Sequence, residues 1–229
     1  MKSEELLSLY QDVWNRPASS DLKVYLDRGF LFQFDAEIKN PDILFIGINP
    51  SYNGIESHKN KFYEKDPVKE IAYFKRFHLI EEQLKSDSYQ MGNLKWTHLD
   101  LLAIRETSQK VASSLERTET GMSFIFEQLM IAKKIIAHSK PKLIVVSNTL
   151  ARKYFGKEKS EDGKHGVWMG YNFTWSNELG THTINELGNT PVLFSGMLSG
   201  QRALDLGSLE RLIWQINLIL KNPKNITHG

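Results

Sequence analysis

Three short runs of the chain are apolar throughout their interiors: Asp42-Ile-Leu-Phe-Ile-Gly47, Lys142-Leu-Ile-Val-Val-Ser147 and Pro191-Val-Leu-Phe-Ser195. A strand with one wetted face alternates polar and apolar residues. An unbroken run of bulky residues four or five long suits a strand buried on both faces, as in a parallel sheet covered by helices. Residues 94–104 contain a further strand between the first and second of these runs. The intervening segments carry helical spacing. Residues 121–138 place Met122, Ile125, Phe126, Leu129, Ala132, Ile135 and Ile136 on one side, and Pro141 marks the turn into the next strand. Strands alternating with helices imply right-handed crossovers. The expected fold class is therefore α/β: a three-layer α/β/α sandwich around a mainly parallel, four-stranded central sheet.

The remaining elements follow from caps and breakers. An N-terminal helix over residues 3–15 starts with Ser3 as N-cap and Glu4 and Glu5 at the positive end of its dipole. It presents Leu6, Leu7, Tyr10, Val13 and Trp14 on one face, and Pro17 ends it. Asp66-Pro67 reads as N-cap and first turn of a helix bearing Val68, Ile71, Ala72, Ile80 and Leu84. Thr149 to Phe155 predicts a short helix leaving the third strand, and residues 157–166 a charged loop with two glycines. The alternation of Trp168, Tyr171, Phe173 and Trp175 fits a hairpin or an irregular flap. Ser208 is expected to cap a last helix carrying Leu209, Leu212, Ile213, Ile216 and Leu220, leaving residues 222–229 as a tail. With 229 residues and no repeat or low-complexity tract, the expectation is one domain over residues 1–229.

Composition narrows the chemistry. No cysteine occurs, which excludes disulfides, thiolate nucleophiles and cysteine-based metal sites, and makes a reducing cytoplasm the expected compartment. No apolar run approaches the ~20 residues of a membrane span, and residues 1–10 carry acids where a signal peptide is basic and then apolar, so neither membrane insertion nor export is expected. Lysine and arginine number 29 against 27 acids, so net charge alone gives little drive toward nucleic acid. Locally, residues 57–78 hold Lys59, Lys61, Lys65, Lys69, Lys75 and Arg76 against Glu64, Asp66 and Glu70, interleaved with Phe62, Tyr63, Tyr73, Phe74 and Phe77. Such a stretch is either a solvated helix face or a nucleic-acid contact. The seven histidines show no zinc-binding spacing, and only His98, near the end of the second strand, lies where a ligand is expected. There is no nucleophile elbow, phosphate loop or dinucleotide fingerprint.

Ligands of parallel α/β sheets sit beyond the carboxyl ends of the strands. The loop after the first strand reads Gly47-Ile48-Asn49-Pro50-Ser51-Tyr52-Asn53-Gly54. Gly47 allows close backbone approach, Asn49 carries an amide that both donates and accepts, Pro50 stiffens the turn and Ser51 adds a hydroxyl. A plain turn uses the same residue types. The segment resembles the first motif of the uracil-DNA glycosylase superfamily, above all its mismatch-specific and thymine glycosylase branch, which has Gly-Ile-Asn-Pro here. The segment from Trp96 through Asp100 to Glu106, that from Lys140 to Ala151, and that from Pro191 to Arg202 are similar in order and spacing to the later strands of that superfamily. The resemblance spans about residues 40–220, and only its first loop is a specific motif.

The resemblance implies hydrolysis of the bond between a damaged or mispaired base and deoxyribose, with the nucleotide flipped from the duplex into a pocket. DNA is then the partner of a monomer, and neither a metal nor another cofactor is needed. Asn49 would hold the attacking water and be the catalytic residue. Gly47, Ile48, Tyr52, Phe62 (or its neighbour Tyr63) and Asp100 would contact the base, while Ser51, Ser199, Gly200, Gln201 and Arg202 would contact DNA. Gln201 or Arg202 would fill the gap left in the duplex. An alternative for Arg202 is a place over the last helix.

Two positions depart from the superfamily. Much of it has His-Pro-Ser in the fourth loop, whereas this chain has Met197-Leu198-Ser199; thymine glycosylases also carry Met, but then Pro. Losing the His removes one stabiliser of the leaving base. Asp100 stands where relatives often have Asn. An ionised Asp only accepts, so uracil would fit poorly and an edge with two donors would fit better. These departures favour the main rival, a protein of this fold that binds nucleic acid or a nucleobase without cleaving it. A small-molecule hydrolase or transferase is a third reading, with no activated nucleophile to support it.

Overall fold

The structure, a computed structural model, describes residues 3–17, 19–32, 40–52, 54, 59–62, 72–87, 93–156, 168–200 and 202–222. Asn53, Tyr63, Asp66, Pro67, Val68, Ile71, the loop at 157–166, Gln201 and most of the tail at 222–229 lie outside the described residues.

The strands are β1 (Leu31–Phe32), β2 (Ile43–Gly47), β3 (Lys61–Phe62), β4 (Trp96–Asp100), β5 (Leu143–Val146), β6 (Phe173–Ser176), β7 (Thr181–Ile184) and β8 (Thr190–Phe194). β1 and β3 form a small parallel pair, and the others form one sheet in the order β4-β2-β5-β8-β7-β6. The four expected strands, three from the apolar runs and one within residues 94–104, are adjacent and mutually parallel, with Gly47 opposite Asp100, Ile43 opposite Leu143 and Val146 opposite Phe194. The sheet is six-stranded and mixed, not four-stranded, because β6 and β7 form a hairpin whose second strand pairs antiparallel with β8. Gly180, at φ +62°, closes that hairpin by donating its N–H to Ser176 O at 2.9 Å. The added strands cover an edge that β8 would otherwise leave unpaired.

Seven α-helices lie among the described residues: α1 (Ser3–Trp14), α2 (Lys23–Arg28), α3 (Lys75–Asp87), α4 (Gln109–Ser114), α5 (Glu119–Ser139), α6 (Thr149–Phe155) and α7 (Leu206–Leu220). The 3-10 turn Ala72–Phe74 leads into α3. Thr118 caps α5, its hydroxyl accepting from Gly121 N at 3.1 Å, and Asn148 caps α6 by accepting from Leu150 N at 2.8 Å. The cap of α7 is Asp205 rather than the expected Ser208. Its carboxylate accepts from Ser208 N at 2.9 Å and from the Ser208 hydroxyl at 2.7 Å, which starts the helix one turn earlier.

Alternation along the strands sends side chains to two separate cores. Leu44, Ile46, Leu99, Ile144, Val146 and Val192 pack with Leu6 and Tyr10 of α1 and Phe124, Leu129 and Ile136 of α5. Ile43, Phe45, Leu143, Val145 and Leu193 pack on the other face with Phe77, Ile80 and Leu84 of α3 and Leu209, Leu212 and Ile216 of α7. Each such side chain contributes roughly 1.5–3 kcal/mol by leaving water, so strands buried on both faces are the strongest determinant of the α/β arrangement. Among the described residues, no helix is long and apolar enough to cross a membrane.

Candidate functional site at the carboxyl edge of the sheet

The loops after β2 and β4 continue side by side beyond the sheet. Leu101 N donates to Gly47 O at 3.2 Å, Leu102 N to Ile48 O at 2.9 Å and Glu106 N to Pro50 O at 3.1 Å. All of residues 101–105 are buried, so these backbone groups have no water to turn to and the seam must satisfy them. Asn49 locks it. Its half-buried amide nitrogen donates to Glu106 O at 2.6 Å, Pro50 O at 3.0 Å and Ile104 O at 3.3 Å. Carbonyl oxygens only accept, so the amide cannot be turned over without placing oxygen against oxygen. Asn49 Oδ1 is thereby held on the side away from the three carbonyls.

Ile48 is buried in the core shared with α1 and α5, which leaves only its backbone for a ligand. Ser51 is exposed. Tyr52, expected against a flipped base, instead lies against two guanidinium groups, with Arg28 4.3 Å and Arg105 5.1 Å from its ring centre. Arg28 pairs with Glu106 at 2.6 Å, and Arg105 Nη1 donates to Arg28 O at 2.8 Å. Tyr52 therefore anchors the first loop to the end of α2 and to the second loop. The backbone of Phe62 lies on β3 opposite Phe32, away from the six-stranded sheet's own ladder.

Asp100 and His98 leave β4 on the same face, two residues apart, as strand periodicity requires. Both are buried, with His98 Nε2 and Asp100 Oδ1 3.9 Å apart. Gly47 is the strand position facing them. A Cβ there would meet Asp100 Oδ1 at 2.3 Å and His98 Nε2 at 2.8 Å, so only glycine leaves room for the two polar groups. Tyr73, from the 3-10 turn before α3, brings its hydroxyl to 3.4 Å from His98 Nε2. The residue as a whole is 37% exposed. Burial pushes the Asp100 carboxyl up to about 8 and the His98 imidazole down to about 3, so the loss of water favours the neutral form of each. The Tyr73 hydroxyl is likewise pushed up, first by burial and then by Asp100.

The fourth loop leaves β8 two strands from β2, roughly 10 Å along the same edge. Ser195 N still donates to Val146 O at 2.8 Å, and the loop then closes on itself. Leu204 N donates to Met197 O at 2.9 Å, and Ala203 N to Gly200 O at 3.2 Å with Gly200 at φ +87°. Leu198 is buried in the α3–α7 core, and Arg76 of α3 donates to Leu204 O. What remains outward is a tip with half-buried Ser199 and exposed Gly200 and Arg202.

Gly47 and Asp100 thus face each other across β2 and β4, Asn49 lies two residues beyond Gly47 in the seam, and Ser199, Gly200 and Arg202 stand on the loop after β8, farther along the same edge. Tyr73 is the site residue that sequence reading did not assign. Its only signal is its place in the Tyr73-Phe74-Phe77 cluster, whose rings all lie within 5.6 Å of the His98 ring. Compared with protein-family models and with curated proteins, the chain matches none.

Proposed function

We propose that the protein is a DNA glycosylase with a fold of the uracil-DNA glycosylase type, hydrolysing the N-glycosidic bond of a damaged or mispaired base, uracil or a related one. The observation that carries this reading is Asn49, whose amide is fixed by three backbone carbonyls at the carboxyl end of a central parallel strand. Breaking the bond from sugar C1′ to the base sends the electron pair out with the base and leaves positive charge on the sugar. Asn49 Oδ1 accepts a hydrogen bond from a water and aims its oxygen at C1′; the water's proton leaves to solvent as the new C–O bond forms. A group that needs no reorganisation during this step is what electrostatic preorganisation requires. The adjacency of the four strands that match the superfamily in order and spacing, with their ends along one edge, supports the same reading.

The test is alkaline strand scission of labelled duplexes containing uracil, hypoxanthine, xanthine or a G·T mismatch, with wild type and Asn49→Ala. The expected result is cleavage of at least one duplex that falls by about 100-fold or more in the variant, the scale seen when a preorganised group is removed. Absence of cleavage across the panel by folded protein would shift the assignment to a non-catalytic binder, the reading that Met197 in place of the usual His favours.

A further inference from the structure

The last lysine or arginine of the basic stretch at residues 57–78 is Arg76, the second residue of α3. A cation in the first turn of a helix opposes the macrodipole, and α3 has no acid in that turn to offset it. No carboxylate among the described residues pairs with Arg76 either. The half-buried side chain instead crosses to the loop after β8 and donates from Nη1 to Leu204 O. Leu204 is where that loop ends, since Asp205, the next residue, caps α7. Its N–H is already held by Met197 O at 2.9 Å, and its side chain lies so close to Gly196 that a Cβ there would meet it at 2.9 Å. Arg76 supplies a third hold on the same residue. Phe74 and Phe77, which flank Arg76 in the chain, are buried in the core shared with α7, so the guanidinium is carried by a fixed element.

Between the loop's entry at Ser195 and its exit at Leu204 stands the tip. Gly200, at φ +87°, turns the chain back so that Ala203 N reaches its carbonyl at 3.2 Å. No hydrogen bond or ion pair among the described residues uses the side chain of Ser199 or Arg202. A short loop fixed at both ends has few conformations left to lose when a ligand arrives, whereas one with a loose end loses more entropy on binding. We propose that Arg76 is a positioning residue for the fourth loop: by holding Leu204 O it keeps Ser199, Gly200 and Arg202 as one preformed DNA-contacting tip, and it touches no DNA itself. The inference rests on the DNA contacts of the glycosylase reading and adds to them what orders the tip. Arg76 then acts on DNA only through Arg202 and its neighbours. If the basic stretch met DNA directly, Arg76 and Arg202 would each make a phosphate contact of their own.

The experiment measures binding of wild type, Arg76→Ala, Arg202→Ala and the double variant to a duplex carrying 2′-fluoro-2′-deoxyuridine opposite guanine, over a range of salt. The fluorine destabilises the sugar cation and so blocks cleavage. Amide hydrogen exchange of the free proteins is followed in parallel. Alanine at position 76 removes a cation from the first turn of α3 and is a good helix former, so the variant keeps its fold. Each single variant is expected to lower the slope of log affinity against log salt by about one contact, and the double variant also by about one. Exchange of the Ala203 and Leu204 amides should quicken by about tenfold or more in Arg76→Ala, as in a local opening, while the amides of α5 stay as protected as in wild type. A double variant that loses about two contacts overturns the proposal in favour of direct contact. A wild-type slope in Arg76→Ala, or unchanged exchange at Ala203 and Leu204, overturns it as well, and so does folded wild type that binds no DNA. If wild type binds this duplex but cleaves none of the uracil, hypoxanthine, xanthine or mismatch duplexes, the glycosylase reading falls while the slopes still decide the role of Arg76.

Discussion

Two regions of the carboxyl edge are held in opposite ways. The seam of the first and second loops is a buried ladder in which backbone donors meet backbone acceptors and Asn49 spends its amide nitrogen on three carbonyls. The fourth loop is tethered at its base by the Met197–Leu204 bond and Arg76, and its tip keeps Gly200 and Arg202 in solvent. On the proposed glycosylase reading, the side chain that holds a water close to its target is the one fixed on the seam. On the same reading, the side chains that follow a distorted duplex are those on the exposed tip. The contrast is between groups whose partners are already made and groups whose partners have yet to arrive.

Asn49→Asp is the strongest way to break that contrast. The substitution keeps shape but places a carboxylate oxygen against three carbonyl oxygens, and leaves them unpaired in a buried seam. A loss of about 3 kcal/mol or more in denaturant melts is expected, exceeding that of Asn49→Ala, because the alanine lacks the repulsion. If Asn49→Asp is as stable as wild type, the amide does not hold the seam. Gly47→Ala comes next: its Cβ would overlap Asp100 Oδ1, and roughly 1–3 kcal/mol should be lost with a displaced Asp100. Recovery of most of that loss in Gly47→Ala/Asp100→Ala, measured as a double-mutant cycle, would place the overlap where the geometry does.

Melting temperature against pH tests the buried pair on the seam side. Asp100 has its folded value raised to about 8 from 3.8, so the folded state holds a proton that the unfolded chain has released, and stability falls as pH rises through that window. His98 has its folded value lowered to about 3 from 6.5, so the unfolded chain binds the extra proton and stability falls as pH drops below 6.5. The two slopes oppose each other between 3.8 and 6.5, and Asp100 acts alone from 6.5 to 8. Wild type should lose melting temperature over that upper interval, and Asp100→Asn should not. The smallest effect is expected at the tip. Arg202→Ala should leave stability within about 0.5 kcal/mol and, on the proposed glycosylase reading, lower the salt dependence of DNA binding by about one contact. A stability loss of several times that would mean the tip is part of the packed structure.

How much of this was legible in the sequence differs residue by residue. The runs at 43–46, 143–146 and 191–194 were readable because their apolar side chains serve both faces of a sheet, and no other short element uses such a pattern. β7 was not, since Thr181-His-Thr-Ile184 carries no apolar run and is a strand only because β8 offers it an edge. Asp205 took the cap that Ser208 was expected to supply, a difference of one turn that propensity alone does not decide. Tyr52 is the sharper case. An aromatic beside a Gly-Ile-Asn-Pro turn invites a stacking role, yet Arg28, 24 positions earlier in the chain, and Arg105, 53 later, converge on its ring.

The sequence by itself determined the parallel strands, their order along the chain and the place of Asn49 beyond the first of them, since these follow from local periodicity and from the rule that strand ends face ligands. Only the tertiary structure decided what the polar side chains are. Asp100 is an acid by name, but its charge depends on His98, Tyr73 and Gly47 excluding water and supplying no cation, groups brought together from three separate elements. Protonation is set by the surroundings of a group, and surroundings are what a sequence does not write in order.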